Sequence, residues 1–430
     1  MERIFENLDH GEAVSQLLTD EKGAPLIKEN YKKFVTATML DNQIDFLKES
    51  APPVNVTGSA IQNWDPVLIQ MVRRATPQLM AFDIAGVQPM TGPTGLIFAI
   101  RSRYTSQTGD EALYNEANSA FSGTGTQAGD TSGFAADAFG TGDPATGTSA
   151  GTGMATSAAE LLGTTSGTAW SEMAFSIEKT NVTATSRKLK ATFSHEIAHD
   201  LRKIHGLDAE TELGNILSTE IVAEQDREIL RRLNISASLG CVTGTTSQYI
   251  YDVASDSDGR WLVERWKGLV FQMEKEANVI MKATRRGKAN IVICSANVAS
   301  ALSMVGLLDS SNNPRFKGDL MVDETSSTYA GVLNARYKVY IDPFATIDYI
   351  TMAYRGPNAW DAGIYYCPYV PLEMYRAVGE DSFQPRIGIA TRYGIVANPF
   401  AANTATGEKT GKGLGQGENP YFRKFKVIGI

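Results

Sequence analysis

Seventy-five consecutive residues, 104 to 178, contain neither lysine nor arginine. Between Ala117 and Ala169, forty of fifty-three residues are Gly, Ala, Ser or Thr. Such a stretch has little apolar surface with which to offset the entropy of ordering its backbone. It cannot build a core of its own, so any core must come from the chain on either side. Two readings remain: a free linker, or a long excursion ordered only where it lies on a neighbouring subunit. Phe121, Phe134 and Phe139 are single anchor points for the second. Long structureless loops in compact proteins are usually functional, which favours the excursion.

The remainder has ordinary globular composition. The 430 residues are 43% hydrophobic and 20% charged, which excludes wholesale disorder. At about 150 residues per domain, the length suggests roughly three structural units. Forty bases against 48 acids leave a net charge of −8, with a pI near 5.3. That argues against a non-specific nucleic-acid binder and against a polybasic membrane anchor. The three cysteines, Cys241, Cys294 and Cys367, match neither a disulfide framework nor a zinc pattern. Each reads as a small buried hydrophobe in a reducing compartment. The acidic start, Met1 to Glu6, lacks a secretory signal, and no run approaches the ~18 apolar residues of a membrane span. A cytosolic origin is expected.

Residues 1–49 hold ten acids and six bases, half of the net charge. From Leu26 the apolar residues Ile27, Tyr31, Phe34, Val35, Leu40, Ile44 and Leu47 fall at helical spacing. Pro52 and Pro53 stop that helix. It is either a surface helix on the main domain, which composition favours, or a detachable assembly segment. A second helix is expected from Trp64-Asp65-Pro66 to Pro77, and a strand over Leu96–Ile100. After Trp170 the chain alternates as far as Phe193, as an exposed strand pair or ribbon.

Asp208 is placed to cap a long helix from Ala209 to about Asn234, roughly 39 Å in length. Its apolar side is Leu213, Ile216, Leu217, Ile221, Ile229 and Leu233, and Glu228 and Arg232 form an i,i+4 pair. A further amphipathic helix spans Trp261 to Arg286, with Gly287 as its terminator. A strand at Ile291–Cys294 and a short helix from Asn297 to about Leu308 follow. Strands are then expected at Tyr337–Ile341, Tyr349–Tyr354, Ile364–Tyr366, Arg386–Ile395 and Phe422–Val427, with a Gly-rich loop at Gly407–Gly417. Helices and strands without regular βαβ alternation indicate an α+β class.

One chemical motif is present. His195-Glu196-Ile197-Ala198-His199 matches H-E-x-x-H, in which two imidazoles on one helix face bind zinc and the glutamate serves as general base. A closed site needs a third ligand. His205 lies six places after His199, but Arg202 occupies the glycine of the longer H-E-x-x-H-x-x-G-x-x-H pattern. Glu220 and Glu224 on the long helix are the carboxylate alternatives. The bland reading is a set of solvated residues on a short helix. There is no G-x-S-x-G and no phosphate-binding loop, and Tyr365, Tyr366 and Tyr369 read as strand packing.

Several segments together resemble the major capsid proteins of T-even-like tailed bacteriophages. They are Met71-Val72-Arg73-Arg74-Ala75, Phe82 to Met90, Pro93-Thr94-Gly95, His205 to Glu210, Tyr354 to Asn358, Asp361 to Tyr366, and Thr391 to Ile395. They occur in family order from about residue 64 to Gly429-Ile430, and their number makes them jointly specific. The resemblance implies the tailed-phage capsid fold, with an N-terminal arm, an extended loop, a peripheral domain with a long spine helix, and an axial domain. The spine corresponds to the helix from Ala209 to Asn234. The low-complexity stretch falls where the family carries an extended loop with an insertion, here shorter and simpler.

The resemblance also implies cleavage by a prohead protease after glutamate in a Leu/Ile-x-Glu pattern. Leu47-Lys48-Glu49 ahead of Ser50 fits, whereas Leu18-Thr19-Asp20 is a near miss. Exposed backbone beside two prolines is where a protease can reach.

The expected organisation is therefore 1–49 propeptide, 50–103 arm and start of the peripheral domain, and 104–169 extended loop. Residues 170–237 form the peripheral domain with its spine, 238–384 the axial domain with returning peripheral strands, and 385–430 the C-terminal strands. The expected role is structural rather than enzymatic: self-assembly into hexameric capsomers of an icosahedral head, in the host cytoplasm and then the virion. No cofactor, metal, membrane or sequence-specific nucleic acid is expected. Scaffolding, protease, vertex, portal and decoration proteins are the implied partners. A zinc metallopeptidase using His195, Glu196 and His199 is the alternative.

Overall fold

The computed structural model describes residues 30–49, 79–113, 116–127, 149–165, 167–241, 249–257, 261–306, 308–309, 328–358, 360–379, 383–400 and 414–429. The chain divides into two compact units, residues 1–97 with 179–430, and residues 98–178. Helix and strand are mixed without βαβ regularity, as an α+β chain requires. The helix expected over 64–77 and most of the Gly407–Gly417 loop lie outside the described residues.

In the first unit, helix α1 (Asn30–Glu49) leads, followed by the short α2 (Ala81–Ile84) and β1 (Gly86–Val87). Val35, Ala37, Met39 and Leu40 of α1 are buried in one core with Phe82, Val87, Tyr366 and Tyr393. Polar contacts fix the helix in place. The Val87 N–H donates to the Tyr31 hydroxyl at 2.8 Å, and the Asn42 amide donates to the carbonyls of Met90 at 3.0 Å and Tyr369 at 3.2 Å. These contacts pack α1 against the main body of the chain.

The alternation after Trp170 forms two strands rather than one ribbon, broken at Ala184: β3 (Met173–Thr183) and β4 (Thr185–Thr192). β3 pairs with β2 (Thr94–Tyr104), whereas β4 joins a four-stranded sheet. Between β2 and β3 in sequence lies the short α3 (Thr156–Glu160), and after β4 comes α4 (His195–Asp200), which runs into a π-helical turn over Leu201–His205.

Helix α5 (Ala209–Ser236) is the predicted long helix. Asp208 takes the extended N-cap backbone, and its carboxylate accepts from Thr211 Oγ1 at 3.0 Å and Arg202 at 3.1 Å. These hydrogen bonds hold the Asp208 carboxyl below the usual range. Ile221, Val222, Ile229, Leu230 and Leu233 are buried, but Ile216 is 61% exposed. The expected apolar stripe therefore engages the core only after the first two turns.

The second core surrounds an eight-stranded sheet. Its strands are β5 (Ala237–Leu239), β6 (Ile250–Asp252), β7 (Ile291–Ser295), β8 (Leu308–Asp309), β9 (Thr328–Leu333), β10 (Tyr337–Asp342), β11 (Tyr349–Ala353) and β14 (Asn419–Ile428). The order is β5-β14-β11-β7-β10-β9-β8, with β6 also on β14. β7 is buried throughout and sits centrally, parallel to β10 and antiparallel to β11, which explains its unbroken apolar run. Helix α6 (Leu262–Thr284) buries Trp266, Leu269, Met273, Ala277 and Ile280 at three-four spacing in the same core, and α7 (Ala296–Met304) adds Val298 and Leu302. α6 ends through Arg285 in the left-handed region (φ 56°), not through Gly287. Gly287 is needed for a different reason: a Cβ there would lie 2.6 Å from the Tyr354 ring.

The four-stranded sheet orders as β1-β12-β13-β4, where β12 is Ile364–Val378 and β13 is Pro385–Ala397. β12 is far longer than the expected Ile364–Tyr366. It passes Pro368 and Pro371 by shifting register between Pro368 and Val370 and again before Glu373, so irregular pairing accommodates the prolines.

Candidate assembly surfaces

The β2–β3 ribbon separates its side chains by parity. Arg101 is 1% exposed and ion-paired with Glu111 at 3.1 Å and Glu178 at 2.9 Å. Arg103 reaches Ser176 at 2.8 Å and Glu178 at 3.3 Å. These groups share one face because residues two apart in a strand point the same way. The opposite parity carries Phe98 (59% exposed), Ile100 (66%), Phe175 (61%) and Ile177 (60%). Large apolar side chains in such a row mark a contact face.

The low-complexity stretch of the second unit folds back on itself where it is described. Thr124 and Thr152 exchange backbone hydrogen bonds at 2.8 and 2.9 Å, and Phe121 packs on Tyr104 with ring centroids 4.5 Å apart. Neither a free linker nor order borrowed wholly from a neighbour describes these residues. Phe134 and Phe139 lie outside the described residues.

A charged groove of about 590 Å³ runs along α5. Arg187 of β4 bonds Glu224 at 2.8 Å and also Glu228, whose carboxylate accepts from the Tyr393 hydroxyl at 2.6 Å. Burial raises the Glu228 carboxyl, but Tyr393, Arg187 and Arg232 outweigh it and hold the group below its ordinary value. Arg232 pairs with Glu228 at 2.6 Å, the expected i,i+4 contact. Arg227 pairs with Asp342 at 2.6 Å. The groove therefore ties helix to sheet, and these carboxylates are committed to arginines.

His195, Glu196 and His199 lie exposed on α4, a helix of six residues capped by Ser194. His195 contacts the Phe383 carbonyl at 3.1 Å. His205 closes the π-helical turn, exposed, and Glu224 is engaged by Arg187. Among the described residues no three His, Cys, Asp or Glu side chains are grouped to hold a metal ion. The metallopeptidase alternative is thus unsupported: the pentapeptide matches the motif, but among the described residues no third ligand is grouped with it. The three cysteines are free and buried, and burial pushes Cys294 and Cys367 up to about 12 and Cys241 to about 11. Tyr365 and Tyr366 are buried strand residues. Leu47 and Glu49 occupy the last turn of α1, and Ser50 lies outside the described residues.

The family model for the major capsid protein Gp23 matches residues 61–427. The chain belongs to the Gp23 major capsid protein family. It is 46% identical over 417 residues to the major capsid protein of Salmonella phage ViI, covering 93% of this chain and 92% of the relative. It is 35% identical over 492 residues to that of Enterobacteria phage T4, covering 100% and 94%. Among solved structures, the capsid of Myoviridae phage XM1 aligns over 89% of this chain and 97% of that one, at 9% identity and a TM-score of 0.40. The family makes the chain a tailed-phage capsid subunit, a virion component whose copies build the shell. No helix among the described residues is long and apolar enough to cross a membrane.

The alternation after Trp170 points to an exposed ribbon, but neither its role as a contact face nor the Arg101 pairs follows from the sequence alone. A signal was there: Leu96, Phe98 and Ile100 alternate with Ile97, Ala99 and Arg101, and Phe175 and Ile177 alternate with Ser176 and Glu178. What the strings do not disclose is which parity the fold covers.

Proposed function

We propose that the subunit associates into hexameric capsomers of a prohead, that the prohead matures by cleavage after Glu49, and that the mature shell encloses the DNA genome. The observation that carries this reading is the uncovered apolar row Phe98, Ile100, Phe175 and Ile177. Covering one such side chain contributes about 1.5–3 kcal/mol, and a ring of heterologous contacts repeats that gain at every interface. Only part of it survives the entropy of association, so many modest contacts must add.

Within this reading α5 is the spine of a peripheral domain (170–237) with the four-stranded sheet. The eight-stranded sheet and α6 belong to an axial domain (238–384), residues 50–103 to an arm, 104–169 to the extended loop, and 385–430 to the C-terminal strands. Residues 1–49 tether the precursor to an internal scaffold. A scaffolding protein, a prohead protease, vertex and portal proteins and decoration proteins are the partners. Leu47-Lys48-Glu49 supports the cleavage position, since α1 ends there and two prolines follow.

Electron microscopy of particles from cells producing the full chain with its assembly partners is the test. Closed icosahedral shells with six-membered capsomers are expected, and dispersed monomers would overturn the reading. A Glu49→Ala chain is expected to stall as unexpanded proheads; mature expanded heads from it would remove the maturation step.

A further inference from the structure

Three of the four histidines, His195, His199 and His205, lie within eleven residues, and all three are exposed. His195 and His199 are four apart on α4, so both imidazoles rise from one helix face, the spacing at which two rings can hold a single divalent ion. Nε2 of His195 lies 3.1 Å from the Phe383 carbonyl oxygen. A carbonyl only accepts, so the proton sits on Nε2 and Nδ1 keeps its lone pair. An imidazole tethered to a carbonyl through one nitrogen, with the other free, is the arrangement that orients metal-ligating histidines. Glu196 and Asp200 each follow an imidazole by one residue, are exposed, and are not ion-paired among the described residues. Of the two bases on the turn that follows, Arg202 is paired with Asp208 and Lys203 remains.

One chain does not supply the rest of a coordination sphere. Among the described residues no third His, Cys, Asp or Glu is grouped with the pair. The surroundings show where the remaining ligands come from. Ile197, Ile204, Leu207 and Ile216, on the same run of chain, and Phe383, whose carbonyl His195 holds, are large apolar side chains left exposed. Apolar surface of that kind marks a contact with another molecule. A contact about a twofold axis brings the same patch of two copies face to face. Zinc takes four nitrogen, sulfur or oxygen ligands in a tetrahedron. Two imidazoles from each copy make that set.

We propose that His195 and His199 form half of a structural site for zinc or a zinc-like transition-metal cation, completed by the same two histidines of a second copy across a twofold contact. The proposal rests on the self-association proposed above and adds to it one contact and the ion that ties it. Imidazole donors select zinc-like cations over magnesium or calcium, which take oxygen ligands. The site does not return the chain to peptidase chemistry. With four imidazoles bound, the ion has no open position at which to activate a water.

The test is titration of the unassembled full-length chain, stripped with a chelator, with zinc chloride at about pH 7.5, where an ordinary imidazole is neutral. Bound metal and sedimentation are the readouts. About one zinc per two chains is expected, with the ion converting monomer to dimer. X-ray absorption at the zinc edge should show four nitrogen ligands at about 2.0 Å. His195→Ala and His199→Ala alter exposed side chains and should leave thermal unfolding of the metal-free chain in place. Each should weaken zinc binding about a hundredfold or more, at or above the loss of a merely supporting group, and abolish the dimer. His205→Ala should change neither. A zinc-bound monomer, one zinc per chain, or a zinc dimer that survives both substitutions overturns the proposal. A chain that builds shells but gives no histidine-dependent zinc dimer overturns it too, and leaves the assembly reading standing. A histidine-dependent zinc dimer from a chain that builds no shells supports it and strikes the assembly reading instead.

Discussion

The backbone N–H of Met80 donates to Oδ1 of Asp226 at 3.0 Å, deep on the packed side of α5. Asp226 is fully buried, and its other carboxylate oxygen has no partner. Burial pushes its carboxyl up to about 8, against which the single hydrogen bond from Met80 acts only weakly. Between the ordinary carboxylate range and pH 8 the folded chain keeps a proton that the unfolded chain has lost. Stability therefore falls as pH rises through that window and flattens above it. Asp226→Asn keeps the acceptor for Met80 and abolishes the slope. At pH 9 the variant is expected to be more stable than the parent by roughly 2–4 kcal/mol. At pH 4 the difference should be small. Urea unfolding of the unassembled chain at the two pH values measures this.

Asn42 bridges α1 to two separate backbone carbonyls, those of Met90 and Tyr369. Asn42→Ala leaves both without that donor and is expected to loosen the helix by about 1–3 kcal/mol. Val35 and Leu40 still pack, so the effect should be local. Hydrogen exchange over residues 30–42 should accelerate roughly tenfold or more, while β7 stays protected.

Residues 285–287 are where the local signal misled. A glycine just past a helix is the usual left-handed cap, yet Arg285 takes that conformation and Gly287, three places past Thr284, serves the Tyr354 ring. Gly287→Ala should destabilise the chain by about 1–3 kcal/mol through overpacking. Arg285→Gly should stabilise it by about 0.5–1 kcal/mol by removing the left-handed penalty. Thermal unfolding of the two variants in parallel separates the roles.

The same contrast describes what the sequence could disclose. Elements set by periodic burial were legible: α6 with Trp266, Met273 and Ile280, α5 with its Glu228–Arg232 pair, and the central β7. Features set by long-range contact were not. β12 continues past two prolines only because β13 offers an irregular partner. The α5 stripe reads evenly along the helix, but nothing covers Ile216 in a single chain. The motif at His195 and His199 is a local pattern whose meaning depends on a distant third ligand. The assembly face was legible only as alternation, because what one copy leaves bare is decided by tertiary packing.

Arg101 and Phe175 lie on opposite faces of the ribbon, and their substitutions should separate folding from assembly. Arg101→Ala leaves Glu178 and Glu111 without their buried cation, and such truncation costs about 3–5 kcal/mol. It should unfold residues 98–178 locally, seen as rapid hydrogen exchange confined to that unit. Phe175→Ser removes no intrachain core contact, so unfolding should shift by less than about 0.5 kcal/mol. Shell yield by sedimentation should nevertheless drop, since each interface loses one of its covered aromatic rings. If Phe175→Ser lowered subunit stability as much as Arg101→Ala, the outer row would belong to the subunit's own fold and not to its neighbour.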